Sequence, residues 1–301
     1  MKLKAIWTAI ALVLLATLAV GQAQEQYLDV FTVQVKPEKR ADFDTISKKI
    51  ALANLQNKGD SWLAMETVYG RTDRVTFISI RQSYGDIEKA MGTFYGATEK
   101  AFGKAGSDKT FHDFSQCVAN SRSEIRRRRW DLSSNAPADP AAMAKMLGDA
   151  RWLRTTAVHV RPGQSAAFED LLKDMKAARE KASPPVTALV SLAVAGQEGT
   201  VYYITSLQSS LAGFDKLPTM QQMLGEQGYA KFLKTNADVV SDTETVINRF
   251  LPDLSNAPEE VAAVAPDYWH PKTAVVAKAS AAKAAVVNAS ETTKEKKTDQ
   301  H

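Results

Sequence analysis

The chain has one cysteine, Cys117, among 301 residues. No intramolecular disulfide can form, so an oxidising compartment is tolerated but not exploited, and burial alone must hold the core. Histidine is scarce as well: His112, His159, His270 and His301 stand far apart, and no two share metal-ligand spacing on one element. That predicts no zinc site. A glycine-rich phosphate loop, HExxH, CxxC and GxSxG are all missing, which removes the chemistries those motifs carry. Nor is one sign of charge in large excess. Lys and Arg total 38 against 34 Asp and Glu, a net charge of +4, and Lys2 and Lys4 belong to the extreme N-terminus. Nucleic acid and anionic membranes are therefore not expected partners.

Long apolar runs are rare too. One spans Ile6 to Val20, after Lys2 and Lys4 and before the small residues Gly21 and Ala23. This is the layout of a secretory signal peptide, and the run is shorter than the roughly 20 residues that cross a bilayer. Residues 1–23 are read as a signal peptide. The mature protein is expected to be exported, periplasmic or secreted, with no stable membrane insertion after cleavage. The C-terminal stretch ASETTKEKKTDQH lacks any large apolar residue, so it cannot offset its ordering entropy. Residues 259–301 are read as an extension, disordered from about 272.

What the sequence does contain is a repeat. FTVQVKPEKRADFDTI (31–46) matches AVHVRPGQSAAFEDLL (157–172), and VTFISIRQS (75–83) matches VYYITSLQS (201–209). SEIRRRRWDLSSNAP (123–137) matches TVINRFLPDLSNAP (245–258). Three matches in one order mark a tandem duplication, with a first half at 25–137, a linker at 138–150 and a second half at 151–258. Each half begins with an alternating, β-branched run that ends at Pro37 or Pro162, because proline cannot donate to a sheet ladder. A helical pattern follows, with Phe43, Ile46 and Ile50 in one copy and Phe168, Leu171, Leu172 and Met175 in the other. Next come two strands joined through glycine-containing turns, a partly helical region and a last strand.

That order is βαββαβ, the ferredoxin-like unit. The duplicated pattern resembles the dimeric α+β barrel superfamily. This group includes antibiotic-biosynthesis-type monooxygenases, haem-degrading enzymes and NIPSNAP-like proteins. The resemblance implies an α+β fold: two fused ferredoxin-like βαββαβ halves packed sheet to sheet as an intramolecular dimeric α+β barrel. The polar and aromatic set of the haem-degrading branch maps onto no residues here, and no cofactor is expected.

In that fold the cavity lies between the sheets. If Val33, Val35, Val158 and Val160 pack under the helices, the equivalent residues Gln34 and His159 point into the inter-sheet space. His159 is then a candidate proton acceptor. Of the run Arg126 to Arg129, only Arg127 has an arginine counterpart, Arg249, so these two are the candidate anion contacts. Tyr203 and Phe77 are candidate ligand-binding aromatics. The phrase Asp-Leu-Ser near Asn135 and Asn256 reads as the end of each unit, with each asparagine capping the helical turn that follows.

Three functions fit these residues. The favoured expectation is a non-enzymatic exported protein that binds a small apolar or anionic ligand, or a protein partner, through the inter-sheet region. The two copies differ at the would-be site, Gln34 against His159 and Arg128 against Phe250, which argues against shared catalysis. The alternatives are a cofactor-independent monooxygenase- or isomerase-like enzyme, and a purely structural duplicated domain.

Overall fold

The computed structural model describes residues 25–270. The proposed signal peptide and the tail beyond 270 lie outside the described residues. The first half comprises β1 (Tyr27–Val35), α1 (Arg40–Gln56), β2 (Leu63–Tyr69), β3 (Arg74–Arg81), α2 (Tyr84–Gln116) and β4 (Val118–Arg128). Helix α3 (Pro140–Asp149) occupies the stretch read as a linker. The second half comprises β5 (Trp152–Val160), α4 (Ser165–Lys181), β6 (Leu189–Ala195), β7 (Thr200–Gln208), α5 (Met220–Val239) and β8 (Val240–Phe250). Two short helices follow, α6 (Glu259–Ala262) and α7 (Pro266–Trp269).

The eight strands close into one antiparallel barrel in the order β1-β3-β2-β8-β5-β7-β6-β4. Each half contributes four strands, and two seams, β2 with β8 and β4 with β6, join them edge to edge. Closure removes the exposed edges that two separate sheets would leave. At the second seam Gly196, with φ +84°, lies so close to the Ser123 carbonyl that a Cβ there would clash.

Alternation along the strands sorts side chains to the two faces. Val33, Val35 and Val75 pack outward against Phe43, Ile50 and the aromatic face of α2, while Val158, Val160 and Tyr202 pack outward against Phe168, Leu171, Leu172 and Met175. A third core lies at the barrel's lower end, where Leu63, Met65, Leu153 and Phe250 meet Ala144 of α3, Val261 and Ala262 of α6 and Trp269. The Trp269 ring sits 5.3 Å from that of Phe250, and its indole N–H donates to the Gly148 carbonyl at 3.1 Å. The linker helix and the start of the extension therefore stopper one end of the barrel.

The repeated phrase has a different role from the one its composition suggests. Asn135 and Asn256 cap no helix: Asp139 caps α3 through its side chain, and Pro258 precedes α6 without a side-chain cap. Instead each phrase clasps the other half. Val190 N–H donates to Ser133 Oγ at 2.9 Å, and Ala64 N–H donates to Ser255 Oγ at 2.9 Å. Asn135 Nδ2 donates to the Val186 carbonyl at 3.1 Å, and Asn256 Nδ2 to the Asp60 carbonyl at 2.6 Å. Leu132 of the first copy is buried in the second half's core, and Leu254 of the second copy in the first half's core. The leucine supplies apolar burial and the serine satisfies a strand N–H that would otherwise be unpaired.

Candidate functional site

The barrel encloses a cavity of about 410 Å³, within the size range of small-molecule sites. Its lower part is apolar, with Leu28, Leu63, Ile78, Ile80, Leu189 and Leu207 above Met143 and Leu147 of the plugging helix. Its other end is framed by the hairpin turns at Arg71 and Gln197 and is lined by exposed Asn120, Arg122 and Glu244.

Gln34 and His159 both line the cavity near this polar mouth. Gln34 donates to Asp73 Oδ2 at 2.6 Å. His159 faces Val201 across β7, and Tyr203 stands one inward position below, opposite Ala157. One strand repeat, roughly 7 Å, thus separates the imidazole and phenol layers.

Below the mouth is a polar cluster on β4, β7 and the turn between β6 and β7. Glu124, 5% exposed, accepts from Arg126 Nε at 2.9 Å, Tyr203 OH at 2.8 Å and Gln197 Nε2 at 2.7 Å. The Arg126 guanidinium carbon lies 3.5 Å from the Tyr203 ring centroid, a cation–π contact. Burial, more than the opposing pull of Arg126, pushes the Tyr203 phenol up to about 12, so it remains a donor near neutral pH. Arg128 lies deeper. Its Nε is buried without a partner, and burial together with the like charge of Arg126 brings its pKa down to about 10. Most of its charge persists at neutral pH, inside the barrel. The cavity therefore combines a mouth imidazole, a phenol donor, two guanidinium groups and an apolar floor.

Three expected site residues lie elsewhere. Arg127 and Arg249 occupy equivalent positions, opposite Tyr27 and Trp152, but both face outward. Arg249 is paired with Glu66 on the barrel surface at 2.5 Å. The residues that enter the cavity are their neighbours Arg126 and Arg128, replaced in the second copy by Asn248 and Phe250. The register of β1 with β4 shifts between Gln34 and Val35. A bulge resets the alternation, so Val118 packs under the helices while the even-numbered arginines point inward. Phe77 also faces the helices, 6.5 Å from Phe43. The sequence match at β3 and β7 is one residue out of register. Thr32 faces Thr76, whereas its counterpart Ala157 faces Tyr203, so Thr76 and not Phe77 is the structural partner of Tyr203. Glu124, Arg126 and Gln197 are the site residues missed by sequence reasoning, and Arg128 was noted only as a difference between the copies. The outward position of Ile125, beside Arg127, was the available signal for β4.

No protein-family model and no curated protein matches the chain. Solved structures of similar fold do. One is a "Putative monooxygenase" from Fusobacterium nucleatum, with TM-score 0.50 and 12% identity over 76% of this chain and 94% of that one. Another, from Lactobacillus acidophilus and likewise described as a monooxygenase, has TM-score 0.47 and 8% identity over 75% and 93%. An anthrone oxidase-like protein has TM-score 0.48 and 15% identity over 76% and 92%. The Fusobacterium nucleatum neighbour is described as an enzyme, and the expectation of a non-enzymatic binding protein is corrected on that finding. The hollow, charge-lined interior likewise overturns the purely structural reading. The chain has the dimeric α+β barrel fold, with both halves of the barrel carried by a single polypeptide.

Proposed function

We propose that the chain is a cofactor-independent monooxygenase- or isomerase-like enzyme working inside the barrel, on a small, partly apolar substrate that becomes anionic during the reaction. The observation that carries this reading is the placement of His159 one strand repeat above the Tyr203–Arg126 pair in a single cavity. His159 accepts a proton from an acidic C–H or O–H of the substrate. Arg126 and Arg128 stabilise the resulting anion, and Tyr203, its hydroxyl committed to Glu124, holds the Arg126 guanidinium in place against its ring. In the isomerase branch the proton returns at another carbon. In the oxygenase branch dioxygen is the oxidant: a methylene carbon and O2 give a carbonyl carbon and water. The apolar floor would hold the non-reacting body of the substrate. Residues 1–23 would direct the protein out of the cytoplasm.

The test offers purified protein a panel of phenols, quinols and benzylic ketones, in air and without added metal or flavin. Oxygen uptake reports one branch and deuterium wash-in from D2O the other. A hit is expected to lose roughly 10²- to 10⁴-fold in kcat with His159→Asn. Arg126→Met is expected to raise KM. Turnover unchanged in His159→Asn would overturn the reading, as would neither oxygen uptake nor exchange across the panel.

A further inference from the structure

A second hollow lies outside the barrel, between the outer face of β5, β7 and β8 and the helices α4 and α5. Its volume is about 670 Å³. Phe214, Met220, Met223 and Phe232 give it apolar walls, and Arg154 and Arg179 stand within it. Arg179 is only 6% exposed, and its Nη1 is buried without a hydrogen-bond partner. The Arg154 guanidinium lies 5.1 Å from the Phe214 ring centroid. Burial, then the like charge of Arg154, lowers the Arg179 pKa to about 10. Asp215 borders the groove but is exposed, and among the described residues it makes no ion pair with either arginine.

The equivalent place in the first half is built the opposite way. Asp29 stands where the second half has Arg154, each facing a serine of the neighbouring strand, Ser79 and Ser206. Arg81 there is held by Asp60 at 2.6 Å and lies 3.8 Å from Asp29. Phe31, Phe77, Phe94, Phe111 and Phe114 fill the space under the helices. One half is thus neutralised and packed, while the other is hollow and carries two guanidinium groups that pair with no acid among the described residues. A buried, unpaired guanidinium is costly unless an anion completes it, and the walls around this one are apolar.

We propose that this groove is a second ligand site, separate from the barrel cavity, for a free amphipathic monocarboxylate. The carboxylate sits between Arg154 and Arg179, and an aliphatic or aryl body lies against Met220, Met223, Phe214 and Phe232. The guanidinium fork suits a carboxylate bidentately, and methionine adapts to varied apolar bodies. The proposal stands independently of the reaction in the barrel.

Calorimetric titration of the full chain with decanoate and with decanol tests it. Decanoate is expected to bind roughly tenfold more tightly than decanol, the worth of one charge-assisted contact. The double variant Arg154→Leu/Arg179→Met should bring decanoate to decanol's affinity, and Arg128→Leu should leave it unchanged. Met223→Trp, which keeps both arginines and fills the groove, should abolish binding with an unchanged circular dichroism spectrum, so the test survives a double variant that fails to fold. Equal affinity for acid and alcohol, no binding of decanoate, or loss through Arg128→Leu in place of the groove variants would each overturn the proposal.

Discussion

The two halves share one topology and solve it with different interiors. Beneath its helices the first half is dense, with aromatic side chains against the sheet and Arg81 enclosed by acids. On the barrel face its last strand is the charged one, since β4 sends Glu124, Arg126 and Arg128 inward. The second half reverses this. Its strand β8 turns Val246, Asn248 and Phe250 into the barrel, and its helix layer is the part left hollow and charged. The folding frame lies in what the copies share, namely the outward valines and the clasp. Function is to be sought where they differ.

Substitutions at equivalent positions sharpen this contrast. The largest effect is expected at Phe43→Ala, about 4 kcal/mol in urea denaturation, because its ring is fully buried between Phe77 and Phe114. Its counterpart Phe168→Ala should cost less, about 3 kcal/mol, since it borders a space that already exists. Equal losses would break the distinction between a filled and a hollow half. Next is Arg81→Met, expected to cost about 3 kcal/mol by leaving the largely enclosed Asp60 carboxylate unpaired. Arg179→Met should instead leave stability unchanged or raise it by about 1 kcal/mol, because it removes a buried charge that makes no ion pair among the described residues. Destabilisation of both would show that the second arginine has a structural partner after all. Arg128→Leu should raise the melting temperature by a few degrees while lowering turnover, the trade expected of a charge kept for function.

The smallest effect concerns acid. Hydrogen bonds from Arg129, then from Tyr202 at 2.6 Å, hold the Glu169 carboxyl down to about 2 against the opposing effect of burial. Its folded pKa is below the unfolded value of about 4.3, so its contribution is complete above that pH and is lost as pH falls towards 2. Glu169→Gln should therefore flatten the decline in unfolding free energy over this window. An unaltered slope would place the acid sensitivity elsewhere.

Much of this architecture was legible because it is periodic. Val33, Val35, Val158 and Val160 fix the phase of the first strand in each half, and Gln34 and His159 follow from it. What stayed hidden depends on single-residue register. A one-residue slip between β3 and β7 turned Phe77 into a false counterpart of Tyr203. Searching for residues kept in both copies also selected Arg127 and Arg249, which are surface positions. The clasp was misread because Ser, Asn and Pro suit a helix start equally well; only the fold reveals that Ser133 and Ser255 serve the opposite half.

Fusion of the two halves has a consequence for how such an interior can evolve. In a barrel assembled from two identical subunits, every inward residue appears twice, related by a twofold axis. Arg126 and Arg128 would then bring four cations into one small chamber, and their mutual repulsion would oppose assembly. Within a single chain the same two residues face Asn248 and Phe250 at the mirrored positions. Covalent linkage thus releases the chamber from symmetry: each substitution enters once, and one wall can turn cationic while the other remains neutral.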